Sequence, residues 1–107
     1  MDALTIGKAA ASTGWSARML RYLEQEELVV PERSASGYRL YGLRELNQLR
    51  SLQELRRRFK VELSDIAFAA RLRREPELRA VVETWLAGTG LAALEWEQRK
   101  HERLLAA

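Results

Sequence analysis

The stretch Thr13-Gly14-Trp15-Ser16-Ala17-Arg18-Met19-Leu20-Arg21-Tyr22 decides how this chain is read. Gly14 can adopt the left-handed backbone that ends a helix, and Ser16, two residues later, carries a side-chain acceptor suited to starting the next. From Ala17 to about Glu26, Ala17, Leu20 and Leu23 recur at helical spacing and predict an inward face. Arg18, Arg21, Tyr22 and Gln25 fall on another face at i, i+3, i+4 and i+7, a polar, basic and aromatic stripe. Upstream, Thr5 followed by Ile6, Ala9 and Ala10 predicts a short capped helix with a small apolar face. Two short helices joined through a Gly-containing turn form a helix-turn-helix, and the small residues Ala9, Ala10 and Gly14 let the helices approach closely.

Outward from this unit, residues 28–41 break the helical pattern. Leu28, Val29 and Val30 predict a strand, Glu32 to Gly37 a turn, and Tyr38, Leu40 and Tyr41 a return strand, with Pro31 tolerable on an edge. A hairpin carrying Arg33, Arg39 and the Tyr38 hydroxyl directly after a helix-turn-helix reads as a basic wing. Helix resumes from about Leu43 to Phe59, with Leu at 43, 46, 49, 52 and 55. A spacing of three drifts by ~60° per step around an α-helix, so this stripe must meet more than one neighbour. Arg56, Arg57, Arg58 and Lys60 close it, where cations complement the helix dipole. A further helix is expected from Leu63 to about Arg74, with Ile66, Ala69 and Ala70 inward. Glu75-Pro76-Glu77 starts another, whose residues Leu78, Val81, Val82, Trp85 and Leu86 form one apolar face. Gly88-Thr89-Gly90 interrupts it, and Leu91 to Leu105 resumes a helix.

Composition narrows the chemistry. The 107 residues contain no Cys, which excludes disulfides, thiolate metal sites and a Cys nucleophile, and the single His101 excludes His clusters and Ser–His pairs. No run approaches the ~20 apolar residues of a membrane span, and no basic-then-apolar leader opens the chain. The expectation is therefore a non-enzyme without metal or cofactor, cytoplasmic and nucleoid-associated, with no membrane partner. Fifteen of the 18 basic residues are Arg, the side chain suited to bidentate phosphate and base contacts, although a GC-rich genome would also raise Arg and Ala. Residues 1–60 carry a net charge of +4 and residues 61–107 a net of −1. That asymmetry suggests an anion-binding module followed by an interaction element.

The blocks Leu4-Thr5-Ile6-Gly7-Lys8-Ala9-Ala10, Thr13 to Tyr22, Ser36-Gly37-Tyr38-Arg39-Leu40-Tyr41 and Leu63-Ser64-Asp65-Ile66 together resemble the MerR family of bacterial transcription regulators. They occur in the family's order and roughly its spacing, over about residues 4–75. The resemblance implies a mainly helical fold: a winged helix-turn-helix over residues 1–75, followed by a C-terminal helical dimerisation or interaction segment over 76–107. It also implies a homodimer that binds pseudo-palindromic double-stranded DNA, with the recognition helix in the major groove and the wing along the backbone, distorting promoter DNA. Carried over residue by residue, Arg18, Arg21 and Tyr22 become recognition-helix contacts, and Tyr38 and Arg39 wing contacts to phosphate. Trp15, Ser16 and Arg33 join them on position alone.

Three departures stand out. Leu23 replaces a second aromatic, and Glu27 and Lys60 occupy sites where the family usually has Gly. About 30 residues follow Pro76, so the family's metal loop or ligand domain is not expected here. A homodimer is expected through Val81, Val82, Trp85, Leu86, Leu91, Leu94, Trp96 and Leu105, with the two Trp as anchors. Two other readings compete. One is an excisionase-like or chromosome-organising architectural DNA-binding protein. The other is an adaptor whose residues 77–105 bind RNA polymerase or another regulator.

Overall fold

A computed structural model describes residues 2–88. In chain order the elements are α1 (Ile6–Thr13), α2 (Ala17–Gln25), β1 (Glu32–Arg33), β2 (Arg39–Leu40), α3 (Leu43–Phe59), α4 (Leu63–Arg74) and α5 (Pro76–Leu86). The chain divides into two compact units, Met1–Ala70 and Arg71–Ala107, with α4 running through the boundary.

The first unit is a winged helix-turn-helix. Gly14 ends α1 at φ +83°, with its N–H bonded to the Ala10 carbonyl. The Ser16 hydroxyl then accepts the Met19 N–H at 3.1 Å and starts α2. Thr5 begins α1 with extended backbone, but its side chain makes no capping hydrogen bond. The Thr13 hydroxyl instead donates to the Ala9 carbonyl at 2.8 Å, and its oxygen receives the Trp15 N–H at 3.3 Å. Helix α3 holds the turn from outside: Gln53 donates to the Thr13 carbonyl at 2.9 Å, and the Trp15 indole N–H donates to the Leu49 carbonyl at 2.9 Å.

The buried core is Ala9, Trp15, Leu20, Leu23, Val29, Tyr41, Leu46, Leu49 and Leu63. As the drift of the leucine stripe predicts, only Leu46 and Leu49 are fully buried in α3, while Leu43 and Leu55 at its ends are exposed. Leu23 is completely buried, so the missing second aromatic costs no surface contact; the position faces the core.

The wing differs from its expected boundaries. Leu28–Val30 is not a strand. The Leu23 carbonyl accepts both the Leu28 and Val29 N–H groups, and Glu27 turns the chain at φ +58°, so the segment is an exit from α2 with Val29 plugging the core. The antiparallel ladder is two residues long, Glu32 opposite Leu40 and Arg33 opposite Arg39. Ser34 to Gly37 turns between them, the Gly37 N–H bonding to the Ser34 carbonyl at 2.9 Å and Gly37 adopting φ +87°. Tyr41 leaves the hairpin and pairs with Leu4 through two backbone hydrogen bonds, of 2.7 and 2.8 Å. In α4 the inward residues are Leu63 and Ala67, with Ile66 and Ala70 half-buried; Ala69 is exposed, since two residues beyond Ala67 it points away by ~200°.

The second unit contains the end of α4 and α5. Arg71 and Glu75 pair at 2.8 Å, and Pro76 occupies the first turn of α5, where its missing N–H has no helical partner to lose. On α5, Leu78 and Val82 are half-buried, while Val81, Trp85 and Leu86 are about two-thirds exposed. Gly88 follows the helix at φ +68°. The expected break at Thr89-Gly90, the helix Leu91–Leu105, its contact residues Leu91, Leu94, Trp96 and Leu105, and His101 lie outside the described residues.

Candidate nucleic-acid interface

Helix α2 divides its faces sharply. Leu20 and Leu23 fix one side in the core, which leaves Arg18 and Arg21 exposed on the other. Tyr22 is half-buried and packs against the core. Ser16 is exposed, and its oxygen caps the helix. A groove of about 590 Å³ opens beside the start of α2, lined by Ser16, Arg18, Met19 and Tyr22, by Arg56 of α3 and by Glu62, Leu63 and Ser64 at the start of α4. At the wing, Tyr38 is 71% exposed and presents its hydroxyl to solvent.

Trp15 requires a correction. The sequence puts it among the DNA contacts on position, but it is 5% exposed and its only side-chain polar atom is already bonded to Leu49. The Arg56 guanidinium covers its ring at 5.7 Å from the centroid. Trp15 is a packing residue that pins the turn to α3. Its place just before a helix start resembles a surface position, and only the long-range meeting with α3 makes it core.

The sequence reading missed Glu24. This residue of α2 meets both wing arginines: Oε1 lies 2.6 Å from Arg33 Nη2, and Oε2 lies 2.6 Å from Arg39 Nε. Arg33 also donates through Nη1 to the Gly37 carbonyl at 3.0 Å. Arg33 and Arg39 are therefore held rather than free-swinging. Burial raises the Glu24 pKa, but the hydrogen bonds and charges of Arg39 and then Arg33 outweigh it, and the net position is below the ordinary value of 4.5. Beneath this cluster lies the Tyr41 phenol, fully buried and with no hydrogen-bond partner for its hydroxyl. Burial and the nearby Glu24 charge push its pKa up. Nothing in the sequence singles Glu24 out from Glu26 and Glu27, because its partners lie 9 and 15 residues away, outside any helical spacing.

Among the described residues, no group of three or more His, Cys, Asp or Glu is placed to hold a metal ion, and no helix is long and apolar enough to cross a membrane.

Comparison with known proteins agrees with this architecture. Residues 4–71 match the family model described as MerR HTH family regulatory protein. The chain is 38% identical over 53 residues to the HTH-type transcriptional regulator HmrR of Rhizobium leguminosarum bv. viciae, an alignment covering 50% of this chain and 41% of that protein. The match thus spans less than half the length of that relative. Among solved structures, HiNmlR, described as a MerR family regulator lacking the sensor domain and bound to promoter DNA, is 27% identical with a TM-score of 0.56. That likeness covers 97% of this chain and 88% of the other. A MerR family regulator from Bacillus cereus, at 24% identity and a TM-score of 0.56, covers 97% of this chain and 75% of its own and shares the fold. With a helix-turn-helix, a two-stranded wing and a family match over most of the first unit, this chain belongs to the MerR family of helix-turn-helix regulatory proteins.

Proposed function

We propose that this chain is a sequence-specific, double-stranded-DNA-binding transcription regulator, with α2 in the major groove and the wing on the backbone. The observation that carries the reading is the orientation of α2: Leu20 and Leu23 are buried, so Arg18 and Arg21 face outward on a helix braced by α1 and α3. Arginine at such a position can donate in parallel to guanine O6 and N7, while Tyr38 and Arg39 contact phosphate. The likeness to HiNmlR, a family member bound to promoter DNA, supports DNA binding. The protein acts as a homodimer on a pseudo-palindromic site and distorts promoter DNA. Residues 76–107 supply the dimer contacts, Val81, Val82, Trp85 and Leu86 among them. The exposed apolar side chains of α5 support this, since a solvated Trp flanked by Val and Leu gains from burial against a second copy.

The test is binding to duplex DNA as a function of salt. With ~6–10 phosphate contacts per dimer, affinity falls ~10³–10⁵-fold between ~50 and ~200 mM salt. A flat salt dependence overturns the reading. One short palindromic footprint at promoters is the expected pattern; phased cooperative footprints would indicate an architectural protein instead.

A further inference from the structure

Glu24 sits one helical turn beyond Arg21, with a side chain only 20% exposed, and both of its oxygens are engaged by arginines that face each other across the wing ladder. No ion pair holds Arg18 or Arg21 among the described residues, so the charge of α2 is open while that of the wing is mostly balanced. Arg39 is held through Nε, which leaves its two Nη groups to donate. We propose that Glu24 is a specificity-determining residue: it ties the wing arginines to α2, so that Arg39 reaches phosphate only when α2 is seated in the groove. The inference rests on the DNA-binding reading above.

An untied wing would add affinity without discrimination. Cations delivered to phosphates give affinity for any duplex, and only base contacts discriminate. Arginines free to swing would find phosphates in every placement of the protein on DNA. A partly buried carboxylate stripped of both partners is unfavourable, so placements that require the arginines to leave Glu24 are penalised. The seated placement keeps the tie and still offers the Arg39 Nη groups to the backbone. Glu24 thereby weakens binding to the wrong sequences more than to the right one.

The experiment uses the full chain and two probes: a duplex enriched from a random-sequence pool by the wild-type protein, and a scrambled duplex of the same composition. Glu24→Gln removes the charge with little change of shape. Its expected effect is a roughly tenfold gain in affinity for the scrambled duplex at ~0.1 M salt, with a salt slope steeper by ~1–2, one unit per arginine released. The ratio of enriched to scrambled affinity falls accordingly. Glu24→Asp keeps the charge on a shorter arm that holds one arginine, and it is expected to fall between wild type and Glu24→Gln. A weakening on both probes alike, or an unchanged ratio in both variants, overturns the proposal and leaves Glu24 a merely structural brace. Wild-type protein that enriches no sequence and binds neither duplex overturns the DNA-binding reading itself, a result distinct from either of these.

Discussion

Among the described residues, Lys60 and Glu27 are the two non-glycine residues with positive φ, +54° and +58°, at the end of α3 and just after α2. They are also the two positions where the family resemblance leads one to expect glycine. The turns are therefore kept, and the strain of a left-handed β-carbon is accepted, at a cost of about 1–2 kcal/mol per residue. Lys60 ends α3 as an exposed residue, so Lys60→Gly is expected to stabilise the protein by about 1 kcal/mol after the glycine's greater unfolded-state entropy is counted. A thermal melt checks it: the midpoint should rise by ~4–8 °C, and a fall would show that Lys60 makes a stabilising contact. Trp15 makes the opposite case. Trp15→Phe removes the hydrogen bond to the Leu49 carbonyl and part of the surface beneath Arg56, for an expected loss of ~1–3 kcal/mol in denaturant unfolding. Duplex affinity of the folded variant should stay within about twofold of wild type, because a residue this buried has no surface to give DNA. A large loss of affinity without loss of stability would return Trp15 to the interface.

At the scale of the elements, the wing is the part least able to stand alone. Its ladder is two residues long, and isolated two-stranded hairpins are marginal in water. It is held by three ties: Tyr41 to Leu4 through the backbone, Val29 and Tyr41 in the core, and Glu24 to both arginines. The last of these titrates. Because the folded-state pKa of Glu24 lies below its ordinary value of 4.5, its contribution is present in full above that pH and is lost as pH falls through the folded-state value. Glu24→Gln is therefore expected to lower stability by about 1–2 kcal/mol at neutral pH and by progressively less in acid. Paired melts of the two proteins across the acid range test the sign. A gap that widens on acidification would mean that the carboxylate does not act through its charge.

For the whole molecule, the proposed homodimer makes a prediction at the exposed face of α5. Val81, Trp85 and Leu86 present exposed apolar side chains on α5, the face on which the proposed second copy would seat. Sedimentation of the full chain at micromolar concentration should give a dimer. Trp85→Ala should raise the dissociation constant by at least ~30-fold if Trp85 is a central anchor worth about 2 kcal/mol or more. A monomer at that concentration would refute the proposed homodimer and favour a partner of another kind.

The sequence by itself determined the parts of this protein governed by short-range physics. Helix ends depend on a residue and its neighbours within one turn, so Gly14, Ser16 and Pro76 could be read from their order alone. The inner faces of α2 and α3 followed from the helical repeat, and with them the outward aim of Arg18 and Arg21. Four blocks in the right order were enough to indicate the family. What only the tertiary structure decided are the meetings across the chain. Trp15 finds Leu49 from 34 residues away, Gln53 finds Thr13 from 40, and Tyr41 leaves its hairpin for Leu4. Glu24 joins the wing at separations of 9 and 15 residues. No periodicity encodes such pairs, because each depends on where rigid elements come to rest against one another once the core has closed.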